Sequence, residues 1–146
     1  MFGSLIADRE IYRILSTDPA ISDVVGDRIF ALRVVPAGNA LPAILFYPEQ
    51  SAYDSGGTTT RSEHITGETL RYVVRVMDEG TSTGRIKAVA ESQLAALAGL
   101  SVEAETGEQV TFAATGEFPL FSEQDGARTY RYLGTVYNVS VDGNGG

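Results

Sequence analysis

The sequence predicts an α+β fold: a mostly antiparallel sheet with one main helix packed on it, plus N-terminal helices. Three observations predict it. The chain opens on helical periodicity, period-two runs follow, and one strong helical stripe near residues 86–97 separates two groups of strands.

Taken in order, Ala7, Ile11, Ile14 and Leu15 fall at i, i+4, i+7 and i+8, one stripe of a helix over about 4–15 whose other face carries Asp8, Arg9 and Arg13. Asp18 before Pro19 has the form of an N-cap and first turn, and Gly26 after Val24 and Val25 a stop, which predicts a short second helix. Residues 28–35 and 43–47 read as strands joined by a Gly38-Asn39 turn. Pro36, Pro42 and Pro48 bracket them, because proline removes a ladder donor. Residues 70–78 form the next strand, with Leu70, Tyr72, Val74 and Val76 on one face and Arg71, Val73, Arg75 and Met77 on the other. Ile86, Val89, Ala90, Leu94 and Leu97 mark the main helix, and Gly99 sits where a left-handed cap would end it.

Val110, Phe112, Ala114, Phe118 and Leu120 then recur in period two, a turn follows at 123–126, and residues 129–141 make a long last strand. In that strand Leu133, Tyr137, Val139 and Val141 face one way and Tyr130, Tyr132 and Val136 the other, so both faces of the sheet carry apolar groups. At about 3.3 Å per residue the strand spans roughly 43 Å. A compact chain of this length is about 38 Å across, so the terminal hairpin is expected to cross or overhang the whole domain.

The 146 residues suit one domain, assigned to 1–141, with a long polar arm at 54–67 and a flexible tail at 142–146. Hydrophobic residues make up 43% and charged residues 21%, so a core forms without staples. With no Cys there is no disulfide framework, thiolate nucleophile or iron–sulfur site, and a single His argues against a His-rich metal centre. The net charge of −8 repels phosphate, and the basic residues are scattered singly, so a nucleic-acid footprint is missing. The first 15 residues have acids inside their apolar run and no basic leader, and no apolar run approaches about 18 residues, so neither an export signal nor a membrane span is expected.

Motifs for chemistry fail on spacing. Gly80 to Arg85 sits between a strand and a helix like a phosphate-binding loop, but its glycines are four apart, Arg85 replaces the required Lys and Ile86 the required hydroxyl. The simpler reading is a helix start capped by Ser82 or Thr83. Glu63, His64 and Glu68 put a base beside carboxylates, yet on a Gly- and Thr-rich segment they are not preorganised for a metal or a proton transfer. No nucleophile elbow occurs, and the acceptor-like triplet at Asn138 lies inside a strand. No catalytic, cofactor or metal residue is assigned, and an enzyme is not expected. The tyrosines fit two readings equally, as cross-strand pairs of a core or as aromatics held for an assembly interface.

IleTyrArgIleLeuSerThrAspProAlaIle at 11–21, ValValGlyAspArgIlePhe at 24–30 and LeuProAlaIleLeuPheTyr at 41–47 resemble the opening of the tail completion, or tail terminator, proteins of long-tailed bacteriophages. The similarity continues through TyrValValArgValMetAsp at 72–78, the helix after it, and GluGlnAspGlyAlaArgThrTyrArgTyrLeuGlyThrValTyrAsnValSerVal at 123–141. The resemblance implies a virion structural protein without a cofactor. It implies a ring, typically a hexamer, at the head-proximal end of the tail tube, made in the host cytoplasm. Such a ring stops tube growth and joins the tail to the head connector. Its partners would be further copies of itself, the major tail tube protein and the connector or stopper, with DNA only passing through and no membrane involved. A head-side connector or stopper component is the alternative, and a small-ligand-binding or enzymatic domain a distant third. By analogy, Arg71, Tyr72 and Arg75 are candidates for subunit contacts, Asp54, Thr58, Thr59, Thr60 and Arg61 for a reaching arm, and Glu123, Asp125 and Arg128 for an axial partner. Tyr130 and Tyr132 join them as aromatics of the second sheet face.

Overall fold

The computed structural model describes residues 3–49, 67–80 and 83–143. Helices α1 (Gly3–Thr17) and α2 (Pro19–Val25) lead to strands β1 (Ile29–Phe30), β2 (Ala43–Pro48) and β3 (Gly67–Glu79). Helix α3 (Gly84–Leu97) then precedes β4 (Ser101–Glu103), β5 (Gln109–Asp125) and β6 (Arg128–Asp142). The strands form one sheet in the order β1-β2-β3-β6-β5-β4, antiparallel at every pair except β1 with β2. The mixed helix and sheet class stands as the sequence predicts. In place of one main helix, α1 with 15 residues and α3 with 14 share the same sheet face.

That face holds the main core. Ala7, Ile11 and Leu15 of α1, Ile21 and Val25 of α2, and Ile86, Val89 and Leu97 of α3 pack on Ile44, Phe46, Tyr72, Val74, Val76, Tyr137, Val139 and Val141. Two of the three helix starts are capped by a side chain. The Gly3 N–H donates to Glu68 Oε1 at 3.0 Å, so the first turn of α1 is satisfied by β3. Asp18 Oδ1 accepts from the Ala20 N–H at 2.9 Å ahead of Pro19, as the sequence predicts. Thr83 precedes α3 without a side-chain cap bond, and Ser82 lies outside the described residues. Arg85 instead grips nearly buried Asp78 through Nε at 2.9 Å and Nη2 at 2.8 Å, tying α3 to the end of β3.

Polar groups inside this core are matched in pairs. Tyr72 and Tyr137 stand opposite each other on β3 and β6, both fully buried. The Tyr72 hydroxyl donates to Asp8 Oδ1 at 2.7 Å, and burial raises the Asp8 pKa against the pull of that bond. The Tyr137 hydroxyl donates to Gln93 Oε1, and Gln93 Nε2 to Thr135 Oγ1, both at 2.8 Å. This pairing corrects the α3 stripe. Gln93, not Leu94, faces the core because β6 presents two polar atoms there, which leaves Leu94 39% exposed.

Two strand expectations change. Of residues 28–35 only Ile29 and Phe30 pair, in parallel with Ile44 and Leu45, after which the chain bends through 31–34. The Gly38 turn therefore lies within a crossover and not between hairpin strands. In β5 the even alternation breaks twice. Ala114 pairs with Tyr137 and Gly116 with Val136, so Thr115 is an extra residue and Phe118 moves to the other face. A second shift between Phe118 and Phe121 absorbs Pro119, which lacks a donor, together with Leu120. The hairpin does run the full length of the sheet. The short strand β4 lies on the outer side of β5.

Gly134 sits midway along β6, between Arg75 on β3 and Phe118 on β5. A Cβ there would run into the Val74 carbonyl oxygen and lie 2.5 Å from Arg75 Cα, both backbone atoms that cannot step aside. Gly134→Ala is therefore expected to destabilise the fold by about 3 kcal/mol, the upper range for overpacking. Chemical denaturation of the purified variant checks this, and a loss under about 1 kcal/mol would contradict the tight approach.

Candidate functional site

The face that carries none of the three described helices has its own cluster. Tyr47, Val73 and Val136 are buried on it with Phe118 against them. Strand parity puts Tyr47 of β2, Arg75 of β3 and Tyr132 of β6 on this side, and the two bulges bring Phe118 and Phe121 of β5 to join them. Arg75 lies at the centre. Its guanidinium carbon is 4.5 Å from the Tyr132 ring centroid, 5.3 Å from Phe118 and 5.5 Å from Tyr47. Gly134, directly opposite Arg75, presents no side chain in its way. Arg75 Nη2 donates to the Arg33 carbonyl at 2.7 Å, while buried Nε has no hydrogen-bond partner among the described residues.

Around this centre, Arg33 stacks over Tyr47 at 4.4 Å and donates to the Pro48 carbonyl at 3.2 Å. Phe121 stacks on Tyr132 at 4.7 Å with rings 13° apart, and tilts toward Phe118 at 5.7 Å. The Tyr132 hydroxyl donates to Glu123 Oε1 at 3.0 Å. Burial, then that carboxylate, pushes the Tyr132 phenol up to about 12, so it stays a neutral donor at any physiological pH. The arrangement can bind and brace, since Arg and Tyr dominate interface energies.

The residues singled out in the sequence separate accordingly. Arg75 and Tyr132 belong to the cluster, and Glu123 anchors it from the hairpin. Arg71, on the same face, is half exposed and pairs with Glu49 Oε2 at 2.8 Å. Tyr72 is corrected as a contact candidate: it is 0% exposed, because even positions of β3 face the helices. Asp125 and Arg128 pair across the hairpin turn, and Arg128 Nε reaches Glu79 Oε2 at 3.6 Å. Tyr130 lines a recess of ≈ 470 Å³ between the loop at 35–41 and the end of the hairpin. Asp54, Thr58, Thr59, Thr60, Arg61, Glu63 and His64 lie outside the described residues. Glu68, their neighbour, is engaged by Gly3. Among the described residues no three or more His, Cys, Asp or Glu side chains gather as metal ligands, and no helix is long and apolar enough to cross a membrane. Arg33, Tyr47, Phe118 and Phe121 were missed. Pro119 inside a strand run was the one sequence signal for the bulge that gathers the two phenylalanines.

Tyr132 keeps its proton to about pH 12 in the fold against 10 when unfolded, so its stabilisation is complete below pH 10 and is lost as pH rises toward 12. Tyr132→Phe removes a hydrogen bond to a charged acceptor and is expected to cost about 1.5 kcal/mol at neutral pH. The gap in melting temperature between wild type and variant should narrow between pH 10 and about 12. A constant gap would contradict the assignment.

Comparisons with known proteins agree with this architecture. A chain in a solved structure, the virion of a native gene transfer agent particle, superposes with a TM-score of 0.62 at 18% identity, covering 91% of this chain and 92% of that one. That likeness shows the fold. No curated protein sequence matches significantly. The model of the family described as tail completion protein gp17 matches residues 9–136, from within α1 to the middle of β6. The chain belongs to the tail completion protein gp17 family, and its role is that of a structural protein of the phage tail.

Proposed function

We propose that this chain is a tail terminator subunit. Copies form a ring, a hexamer, on the head-proximal end of the tail tube, stop its growth and join it to the head connector. The observation that carries the reading is the family match across residues 9–136, which takes in the second half of α1, all of α2 and α3 and most of the sheet. The physical character of the surface supports it. Large apolar side chains stay exposed at both lateral sides of the sheet, Leu32 and Val34 beyond β1 and Leu120 and Phe121 on β5, as a subunit that buries more surface in an assembly requires. The role is non-enzymatic. Tube protein and connector are the partners on the two axial faces, and the site of action is the neck of the virion, after assembly in the host cytoplasm. With a net charge of −8, a ring of such subunits repels a passing genome and does not trap it.

Negative-stain electron microscopy of particles from a producer strain lacking the gene tests the reading. Overlong tubes without heads are expected. Tails of normal length beside separate or leaking heads would move the protein to the head side of the neck, and intact particles would discard both roles. Removal of Thr58 to Arg61 from the polar arm is expected to impair assembly while the isolated protein melts as before. Normal tails made by that deletion would refute a part for the arm.

A further inference from the structure

Beside β5, on the helix-bearing side of the sheet, runs a groove of ≈ 670 Å³ between α3 and the outer half of the long hairpin. Leu94, Leu120 and Leu133 form its apolar lining, and Lys87, Glu91 and Glu117 stand at its rim. Next to it the outer edge of β5 is open. β4 pairs with β5 only as far as Thr111, and Leu100 bonds Phe112, so from Ala113 onward no backbone partner covers that edge among the described residues. Strands are seldom left this way over such a length without cover.

At the opposite side of the same sheet the inverse shape protrudes. Leu32 is 48% and Val34 70% exposed, on the stretch whose composition reads as a strand but which pairs only at Ile29 and Phe30. Arg33 between them is held over Tyr47, leaving guanidinium donors beyond the one spent on Pro48. An apolar projection carrying a cation at one end of the sheet thus matches an apolar groove at the other, whose rim of Glu91 and Glu117 against Lys87 is net acidic. Complementary patches at two different places on one subunit make a head-to-tail contact, the kind that closes rings.

We propose that residues 32–34 of one copy seat in the groove between α3 and β5 of the next copy, Leu32 and Val34 meeting Leu94 and Leu120, and Arg33 meeting Glu117. This rests on the ring reading above and names its lateral contact. The chain has no native cysteine, so a disulfide reports the contact without background. Val34→Cys and Leu120→Cys, each on an exposed side chain, are made singly and together in the full chain. They are oxidised both as purified protein and on tails from a producer strain.

Mixed single variants should give crosslinked dimers only when both are present, and the double variant a covalent ladder ending at the ring. Val34→Asp should lower infectious particle yield at least about tenfold, with an unchanged melting temperature. Rings seen by native mass spectrometry without the disulfide, and a harmless Val34→Asp, would overturn this contact and leave the ring standing. No ring on tails or in solution would overturn both.

Discussion

The rest of the structure depends on the register between β3 and β6, which pair without interruption from Gly67 opposite Asp142 to Glu79 opposite Tyr130. Side chains alternate across a strand, so a slip of one residue would send every buried group to the wrong face. This register sets Tyr72 against Tyr137 under the helices and Val73 against Val136 on the other side. It also places Gly134 beside Arg75, where nothing larger fits. Hydrogen-bond matches lock the register from the helix side. Gln93 satisfies both Thr135 and Tyr137, and Asp8 takes the Tyr72 hydroxyl, so a displaced strand would bury polar atoms without partners.

A sheet with two apolar faces needs two covers. One is the helix layer. The other is built from the sheet's own side chains and one from the crossover, with Arg75 and Arg33 laid over Tyr47, Phe118 and Tyr132. Guanidinium groups suit this place because they are weakly hydrated and lie flat on aromatic rings. Each such contact is worth about 0.5–2 kcal/mol, and the residual exposure of Phe121 shows that the cover is partial. The two bulges of β5 make it possible. They convert a strand that would send Phe118 toward the helices into one that delivers both phenylalanines to the opposite side.

A structural role in a tail asks for a rigid body that presents complementary surfaces. The pairing of β6 along most of its length on both sides supplies the rigidity. The short outer strands β1 and β4 leave much of the sheet's two edges available, and the exposed Leu32, Val34, Leu120 and Phe121 fall toward those edges. Neither feature involves a reacting group. The neutral phenols of Tyr132 and Tyr137, both raised first by burial, act as fixed donors.

Local signals in the sequence determined the helices, their starts at Asp18 and near Ser4, the alternation of β3 and β6, and the family, because these depend on neighbours three to eight residues apart or on their order. They could not determine what depends on a distant partner. Whether Leu94 or Gln93 faces the core was decided by Thr135 and Tyr137, more than 40 residues away. Whether residues 28–35 form a full strand was decided by a parallel pairing with β2 that stops at Phe30 opposite Leu45. Two members of the aromatic cluster, Arg75 and Tyr132, were singled out from the sequence. Arg33, Phe118 and Phe121 were not, since bulges and a crossover loop carry them there and period two is blind to both; Tyr47 lies on regular strand β2, and its place in the cluster depends on the distant partners that meet it. Chain-local periodicity reveals which residues want burial, and only the assembled sheet decides which face, and which partner, receives them.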